Sequence, residues 1–512
     1  MPAAWVIAAL TLVSRMLGLL RESVFGYYFS TSQLLSAFRI AFMIPNLARR
    51  LFGEGALSSA LVPVLTQTLQ EEGEENSRRF VGRLLIAQAL LLLLLTVAVE
   101  LVIAGWRTWI VDDAALALTA ILLPYMGLIC IVALGGAVLN VRRYFAVPAA
   151  APVLLNLMII LAAVVGSAVF TIGAESLMVM ICVAVLVAGA LQLVATGWAL
   201  KAVRFFPIIE RRRRDPRVRR VILLMGPMVL GLSAVQINSL FDYLIAYWFV
   251  SADGERVGPA VLGYAQYLYQ LPLGVFGVAI ATALFPAMSE QAAVKEGAAL
   301  TALFFRGLRL SLFIALPAGA GLMFVAEPLV ATLYERGAFH ADDTRRVASV
   351  LFFYSLGMPA YFVQHLVVRL YYTLNDSRTP AYAAIVAVLF NVLMNLGLVQ
   401  IMEERGLALA TSVCAYLQTG WLLWRVPRFS PAWTWRGQVG EPLKAALATV
   451  VMVGVLGITF GVPVSRHLMG MGRGVSLAVM VTAGVLSYWL AALALRMEEA
   501  SSLLRGPRGR VL

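Results

Sequence analysis

The sequence is poor in the residues a soluble catalytic domain uses for chemistry. Only 13% of its residues are charged, against about a quarter in a soluble globular protein. Lysine is nearly absent. Lys201, Lys295 and Lys444 are the only lysines, so the excess of basic over acidic side chains, 40 against 27, is an arginine excess. The three cysteines, Cys130, Cys182 and Cys414, each sit alone in an apolar run, and His340, His365 and His467 are scattered. That excludes a disulfide framework and any metal-ligand spacing, and the thiols read as small buried hydrophobes. No phosphate-binding glycine loop, nucleophile elbow or zinc signature is present, which leaves no case for catalysis or ATP use. A secretory signal is missing too. The apolar start runs through Ser14-Arg15 and Arg21-Glu22 without a small-residue cleavage site, and reads as a first span.

What the chain has in quantity is apolar sequence: 61% of its 512 residues, with a mean hydropathy of +0.87. A spanning helix takes about 20 apolar residues. Fourteen apolar segments can be drawn, near 4–28, 33–67, 80–105, 117–140, 149–172, 176–200, 221–250, 259–287, 301–326, 347–373, 381–401, 406–425, 443–464 and 474–495. The second is interrupted by Pro45, Arg49, Arg50, Gly53 and Glu54 and reads as a bent helix facing a cavity. The third, with Leu90 to Leu95, reads as lipid-facing.

A net charge of +13 could point to nucleic acid, but the bases fall between apolar runs, a pattern of membrane topology. Lys201 to Arg220 alone carries nine bases, including Arg211 to Arg214, against Glu210 and Asp215. Arg78, Arg79, Arg142, Arg143, Arg378, Arg425, Arg428, Arg505, Arg508 and Arg510 fall on the same side. The opposite turns hold Asp112, Asp113, Glu175, Asp253, Glu255, Asp342, Asp343, Glu403 and Glu404. The positive-inside rule then puts both termini in the cytoplasm, as an even number of spans requires.

The chain also repeats itself. The string from Ala56 to Thr66 resembles that from Ala279 to Ser289, at an offset of 223 residues. Leu139-Asn140 followed by Asn156 recurs as Leu374-Asn375 followed by Asn391, at an offset of 235. Chance similarity between apolar runs is the rival reading; two matches at nearly one offset argue against it. Segments one to six then overlie seven to twelve in the same topology, as in transporters whose halves share an axis along the membrane normal. The expected fold is an all-α polytopic membrane protein of about 14 transmembrane helices. It comprises two six-helix lobes related by pseudo-twofold symmetry, at 1–203 and 221–426. A basic cytoplasmic linker at 204–220 joins them, and two C-terminal helices with a tail occupy 427–512.

Arginine inside a span needs a partner, water or an interface. Segments one and two hold Arg15, Arg21, Arg39, Arg49 and Arg50 against Glu22 and Glu54 alone. Arg50 and Glu54 are four apart and read as a helix pair; Arg15 and Glu22, seven apart, share a face. Arg21, Arg39 and Arg49 are left without a local partner. Surplus guanidinium groups in a membrane cavity suit an anionic, phosphate-bearing guest, with snorkelling to a headgroup as the alternative. A second set comprises Asp242 in segment seven, Asn391 and Asn395 one turn apart in segment eleven, and Thr411 in segment twelve. A carboxylate with amide and hydroxyl oxygens would accept a hard monovalent cation, while hydrogen bonding between helices also accounts for the asparagines. Gly274, Gly277, Gly454, Gly457 and Gly461 read as close-packing positions, and Pro124, Pro272 and Pro317 as kinks.

Ser14 to Gly18 with Arg21-Glu22, and the string Ile44-Pro45-Asn46-Leu47-Ala48-Arg49-Arg50-Leu51-Phe52-Gly53-Glu54-Gly55-Ala56, resemble the MurJ/MviN family of lipid II flippases. So do Arg369 to Asp376 with Thr379-Pro380, and Pro272 to Thr282 ending in Pro286. The similarity runs over nearly the whole chain. It implies the multidrug/oligosaccharidyl-lipid/polysaccharide exporter fold of two six-helix lobes plus two helices. It also implies a substrate, undecaprenyl-diphosphate-linked GlcNAc-MurNAc-pentapeptide, carried to the outer leaflet of the bacterial inner membrane for peptidoglycan synthesis.

By that resemblance Arg15, Arg21, Arg49 and Arg50 align with family arginines, and those like Arg21 and Arg49 join one on the eighth helix to bind diphosphate. Here the eighth-helix position is Tyr267, preceded by Gln266, with Gln270 following and Glu54 as further polar lining. The acid the family carries before Ala-Phe of helix two is Ser36 here, and Arg39 restores a positive group one turn away. Asp242, Asn391, Asn395 and Thr411 resemble a sodium site of some members, with Asn395 in place of an acid. The expectation is therefore a monomeric lipid II flippase working among membrane lipids by alternating access. It would use no catalytic residue and no cofactor beyond a candidate sodium coupling ion, bind no nucleic acid, and have other cell-wall synthesis proteins as candidate partners. A flippase for another polyprenyl-diphosphate-linked glycan, or a non-transporting paralogue, remains the alternative.

Overall fold

The computed structural model describes residues 2–54, 56–107, 113–210, 215–294, 297–426, 433–435, 437–460 and 472–504. Asp112, the run Arg211 to Arg214, Lys295, Arg428, Gly461, His467 and the tail arginines Arg505, Arg508 and Arg510 lie outside those residues. The described chain is helical almost throughout. Ten helices are long and apolar enough to cross a membrane, or eleven when a bent pair counts as one span. The long charge-bearing stretches described below, α1, α2 with α3, and α8, are consistent with fourteen spans in all.

Two compact units divide the chain. One comprises Met1–Tyr247 with Ser251–Ala260, the other Trp248–Val250 with Val261–Leu512. The first holds α1 (Pro2–Phe29), α2 (Gln33–Arg49), α3 (Ala56–Glu71), α4 (Gly73–Arg107), α5 (Ala114–Val141), α6 (Ala146–Ala168) and α7 (Ala174–Ala202). It also takes α8 (Pro216–Phe249) as far as Tyr247. The sequence repeat counts that helix with the second half and divides the chain at 204–220. Polar bonds along its length tie it to the first unit instead. Arg217 pairs with Glu72 at 2.6 Å, Arg220 reaches Gln67 at 3.0 Å, and the Tyr247 hydroxyl donates to Asp113 at 2.7 Å.

The second span bends as its sequence demands. Between α2 and α3 the chain widens into a π-turn, Arg50–Glu54. The Gln88 amide is buried beside it and donates to Phe52 O in the bend at 3.0 Å and to Cys130 O on α5 at 3.1 Å, so it ties the bend to its neighbouring helix and gives a bend carbonyl a partner. Glycine at position 53 is a packing requirement, since a Cβ there would stand 2.8 Å from the Ala133 methyl.

The segment leading into α8 is strapped along the end of α4. Ile208 N donates to Arg78 O at 3.1 Å, and Arg78 Nε to Phe206 O at 2.7 Å. Arg83 binds both Asp215 (2.6 Å) and Glu210 (2.7 Å). Burial would raise the Asp215 carboxyl, but hydrogen bonds from Arg217 and Arg83 outweigh it and hold the group down at about 2.

In the second unit, α9 (Gly258–Pro272) is followed by a second π-turn, Leu273–Gly277, and α10 (Val278–Ala293). Its first residue lies 223 positions after Arg50, the offset of the sequence repeat. Then come α11 (Gly297–Tyr334), α12 (Ala341–Leu356) and α13 (Met358–Thr373), the last two bent by 44° at Gly357. A Cβ on Gly357 would meet the Tyr361 ring and Ser412 Oγ at 2.5–2.7 Å. Next are α14 (Arg378–Met402) and α15 (Glu404–Arg425), and finally α16 (Gly440–Phe460), α17 (Arg473–Ala494) and α18 (Glu498–Leu504). Asp376 explains part of the string it belongs to. Its carboxylate accepts from Arg378 N, Thr379 N and Thr379 Oγ at 3.1, 3.0 and 2.6 Å, opening α14.

Candidate functional site

The charged residues of the first two spans meet on a single carboxylate. Glu22, 1% exposed, receives Arg21 on Oε1 at 2.6 Å and Arg39 on Oε2 at 2.7 Å. The second fork nitrogen of Arg21 donates to Asn156 Oδ1 at 3.0 Å, and Asn156 in turn donates to Ser14 O at 3.2 Å. This corrects two sequence expectations. Arg21 and Arg39 are not without a local partner, and both carboxylate oxygens of Glu22 are engaged by Arg21 and Arg39, where the spacing had paired it with Arg15. The physical reason is that α1 and α2 present Glu22 and Arg39 to each other, a tertiary contact helix spacing does not encode. Two guanidinium groups thus converge on one carboxylate where water is scarce and a charge-assisted bond is worth most.

Arg15 and Arg49 are half-buried and Arg50 is exposed. Arg50 donates to Gln236 at 2.9 Å, while the side chain of Glu54, expected as its partner, lies outside the described residues. Ser36 is buried, and its hydroxyl accepts from Ala260 N at 3.2 Å at the start of α9. At this position the serine serves as a backbone acceptor.

The family model described as Lipid II flippase MurJ matches residues 25–471. The chain belongs to the MurJ family. A probable lipid II flippase MurJ of Rhizobium tropici is 32% identical over 425 residues, 80% of this chain and 77% of that one. The lipid II flippase MurJ of Burkholderia cenocepacia is 32% identical over 430 residues, 81% of each chain. The probable lipid II flippase MurJ of Rhizobium meliloti is 31% identical over 520 residues, 97% of this chain and 94% of that one. A solved lipid II flippase MurJ in an inward closed conformation has the same fold. It aligns with a TM-score of 0.78 at 24% identity, over 96% of this chain and 98% of its own. An inward-facing multidrug-resistance MATE transporter of the MOP superfamily follows at 0.68 and 15% identity, over 83% and 98%.

The remaining MurJ-like positions fall in both units. Gln266 and Tyr267 are half-buried and Gln270 exposed on α9, with Gln266 donating to the Tyr354 hydroxyl at 3.0 Å. Asp242, in the first unit, is 3% exposed and accepts from Asn238 at 3.3 Å. In the second unit Asn395 donates to Asn391 Oδ1 at 2.9 Å along one helix, and Thr411 donates to Leu407 O at 3.0 Å. No group of three or more His, Cys, Asp or Glu placed to hold a metal ion occurs among the described residues.

Two residues escaped sequence reasoning. Asn156 was used only as a repeat marker, yet it holds Arg21. Its repeat partner Asn391 is likewise buried, so a repeated asparagine in an apolar helix was the available signal. Arg369 was read only as part of a string, yet its Nη1 is buried in the second unit without a hydrogen-bond partner. Beside the second π-turn a cavity of about 610 Å³ opens between α11, α16 and α17, walled by Phe276, Phe313, Pro317, Met480, Tyr488 and Trp489.

Proposed function

We propose that this chain is a lipid II flippase of a bacterial inner membrane, with both termini cytoplasmic. It would move undecaprenyl-diphosphate-linked disaccharide-pentapeptide to the outer leaflet by alternating access. Membership of the MurJ family over residues 25–471 carries the reading. The chemistry of the site supports it. Arg21, Arg39 and Arg49 of the first unit carry guanidinium forks, the donors that a diphosphate calls for. The cavity bounded by α16 and α17 has walls apolar enough for the isoprenoid tail. The chain transports and catalyses no bond change. Each surplus arginine that moves through the field would couple to membrane potential at about 2.3 kcal/mol per 100 mV. Coupling to sodium through Asp242 is a separate part of the proposal.

Tyr267 favours one second reading, a different polyprenyl-diphosphate glycan, because the family's eighth-helix arginine is not there to read the head group. Vesicles containing the purified chain test both. Labelled lipid II placed on one leaflet should become accessible on the other, unlabelled lipid II should compete, and Arg39→Gln should abolish the signal. Movement of another undecaprenyl-diphosphate glycan in preference to lipid II would establish the second reading. No movement of either would remove both.

A further inference from the structure

The structure assigns a phospholipid site to the end of the second unit where α11 finishes and α12 and α15 begin, with a zwitterionic phosphoethanolamine head group as the occupant. A pocket of about 370 Å³ there is lined by Glu327, Arg345, Arg405, Ser349, Phe352 and Phe353, among others. Its polarity is graded along the helix axes. Arg405 and Arg345 stand within about 6 Å of their helix starts, Glu327 and Ser349 about 10–12 Å in, and Phe352 and Phe353 deeper at about 17 Å, at a rise of 1.5 Å per residue. A lipid presents the same order, with phosphate outermost, then glycerol esters, then hydrocarbon.

The charges are available for a guest. Arg405 and Glu327 are exposed, and neither makes a hydrogen bond or ion pair among the described residues. The acids beside Arg405 are engaged elsewhere: Arg346 binds Glu404 through two bonds, at 2.8 and 3.0 Å, and approaches Glu403 at 3.6 Å. Arg345 pairs with Asp342, but that pair is 68% and 88% exposed and is weak enough to open toward a stronger anion. Two guanidinium groups call for a phosphate, and the carboxylate of the same pocket calls for a cation on the same molecule, which an ethanolamine arm folded back from the phosphate into the pocket supplies. A phosphate that carries an ammonium satisfies all three, whereas a glycerol head group leaves Glu327 facing only negative charge. These helix ends lie opposite the ends that carry Arg378 and Arg425, so the orientation proposed above puts the lipid in the outer leaflet. The binding itself does not depend on that orientation or on transport.

The test counts phospholipids retained by the full-length protein in detergent, by native mass spectrometry during titration with phosphatidylethanolamine, phosphatidylglycerol or inorganic phosphate. The native chain should keep one phosphatidylethanolamine that the Arg345→Gln/Arg405→Gln variant loses, with affinity falling about tenfold or more for the lost charge-assisted bonds. Arg405→Lys should retain most of the binding, and Glu327→Gln should erase the preference for ethanolamine over glycerol. The same lipid count in all variants would overturn the site. Inorganic phosphate binding as well as the lipid would overturn the assignment to a lipid.

Discussion

Replacing Glu22 with glutamine should be among the most damaging single changes in the first unit, although it alters one atom. Glu22 is 1% exposed, and its partners Arg21 and Arg39 are only 18% and 11% exposed, so water cannot take over its role. Removing the charge from one member of a buried ion pair costs about 3–5 kcal/mol, because the partner charge stays buried without compensation. Here Arg21 and Arg39 both lose that carboxylate charge. The repulsion between the two guanidinium groups is the same with or without the Glu22 charge and adds nothing to the difference. A glutamine oxygen can still accept one of the two bonds, which places the expected loss at about 3 kcal/mol or somewhat more. Unfolding of the purified chain in mixed micelles, titrated with SDS, measures it. The double variant Glu22→Gln/Arg39→Gln is the sharper control. It removes one of the two cations that faced Glu22, so it should lose less than the sum of the single variants by about 1–2 kcal/mol. Additive losses, or a Glu22→Gln protein within about 0.5 kcal/mol of the native chain, would refute the reasoning.

Other outcomes follow from the same geometry. Gly82→Val should detach the strap before α8, because a Cβ at that position would stand 2.0 Å from Ile208 O. Limited proteolysis should then cut within residues 203–215 far faster than in the native chain. Asp215 holds a carboxyl at about 2, below its ordinary value, so the stability it confers is present above about pH 4 and is lost as pH falls from there through about 2. The difference is up to about 2 kcal/mol, and Asp215→Asn should flatten that part of the stability profile. Gly357→Ala should destabilise the α12–α13 bend by about 1–3 kcal/mol through overpacking against Tyr361 and Ser412, read as a lower midpoint in the same SDS titration. Asn156→Ala should slow transport with little change in folding, since it releases Arg21 but strands no charge; a vesicle assay at matched protein density checks it.

The sequence carried most of the architecture because membranes leave few choices for a backbone. Apolar runs become helices, and interruptions become bends where a side chain can satisfy the freed carbonyls. The repeat was legible to the residue: the π-turns at Arg50–Glu54 and Leu273–Gly277 keep the offset read from the flanking strings. What helix spacing missed was partner choice. Arg39 and Glu22 are 17 residues apart on different helices, so no i,i+4 or i,i+7 rule could join them, and the rule instead nominated Arg15. The assignment of α8 to the first unit was hidden for the same reason, since it rests on cross-helix pairs such as Arg217 with Glu72. The asparagines show the reverse case. Asn391 and Asn395 bond to each other along one helix, as their four-residue spacing allows.

The most direct test of the account is growth of a bacterium whose own lipid II flippase can be shut off, carrying this chain or its Arg21→Ala/Arg39→Ala variant. Membrane levels of each protein should be matched by immunoblot. The account predicts growth with the native chain and lysis with the variant, because the diphosphate loses two guanidinium forks. Lysis with the native chain present in the membrane would contradict lipid II as its substrate. Growth with the variant would contradict the arginine site.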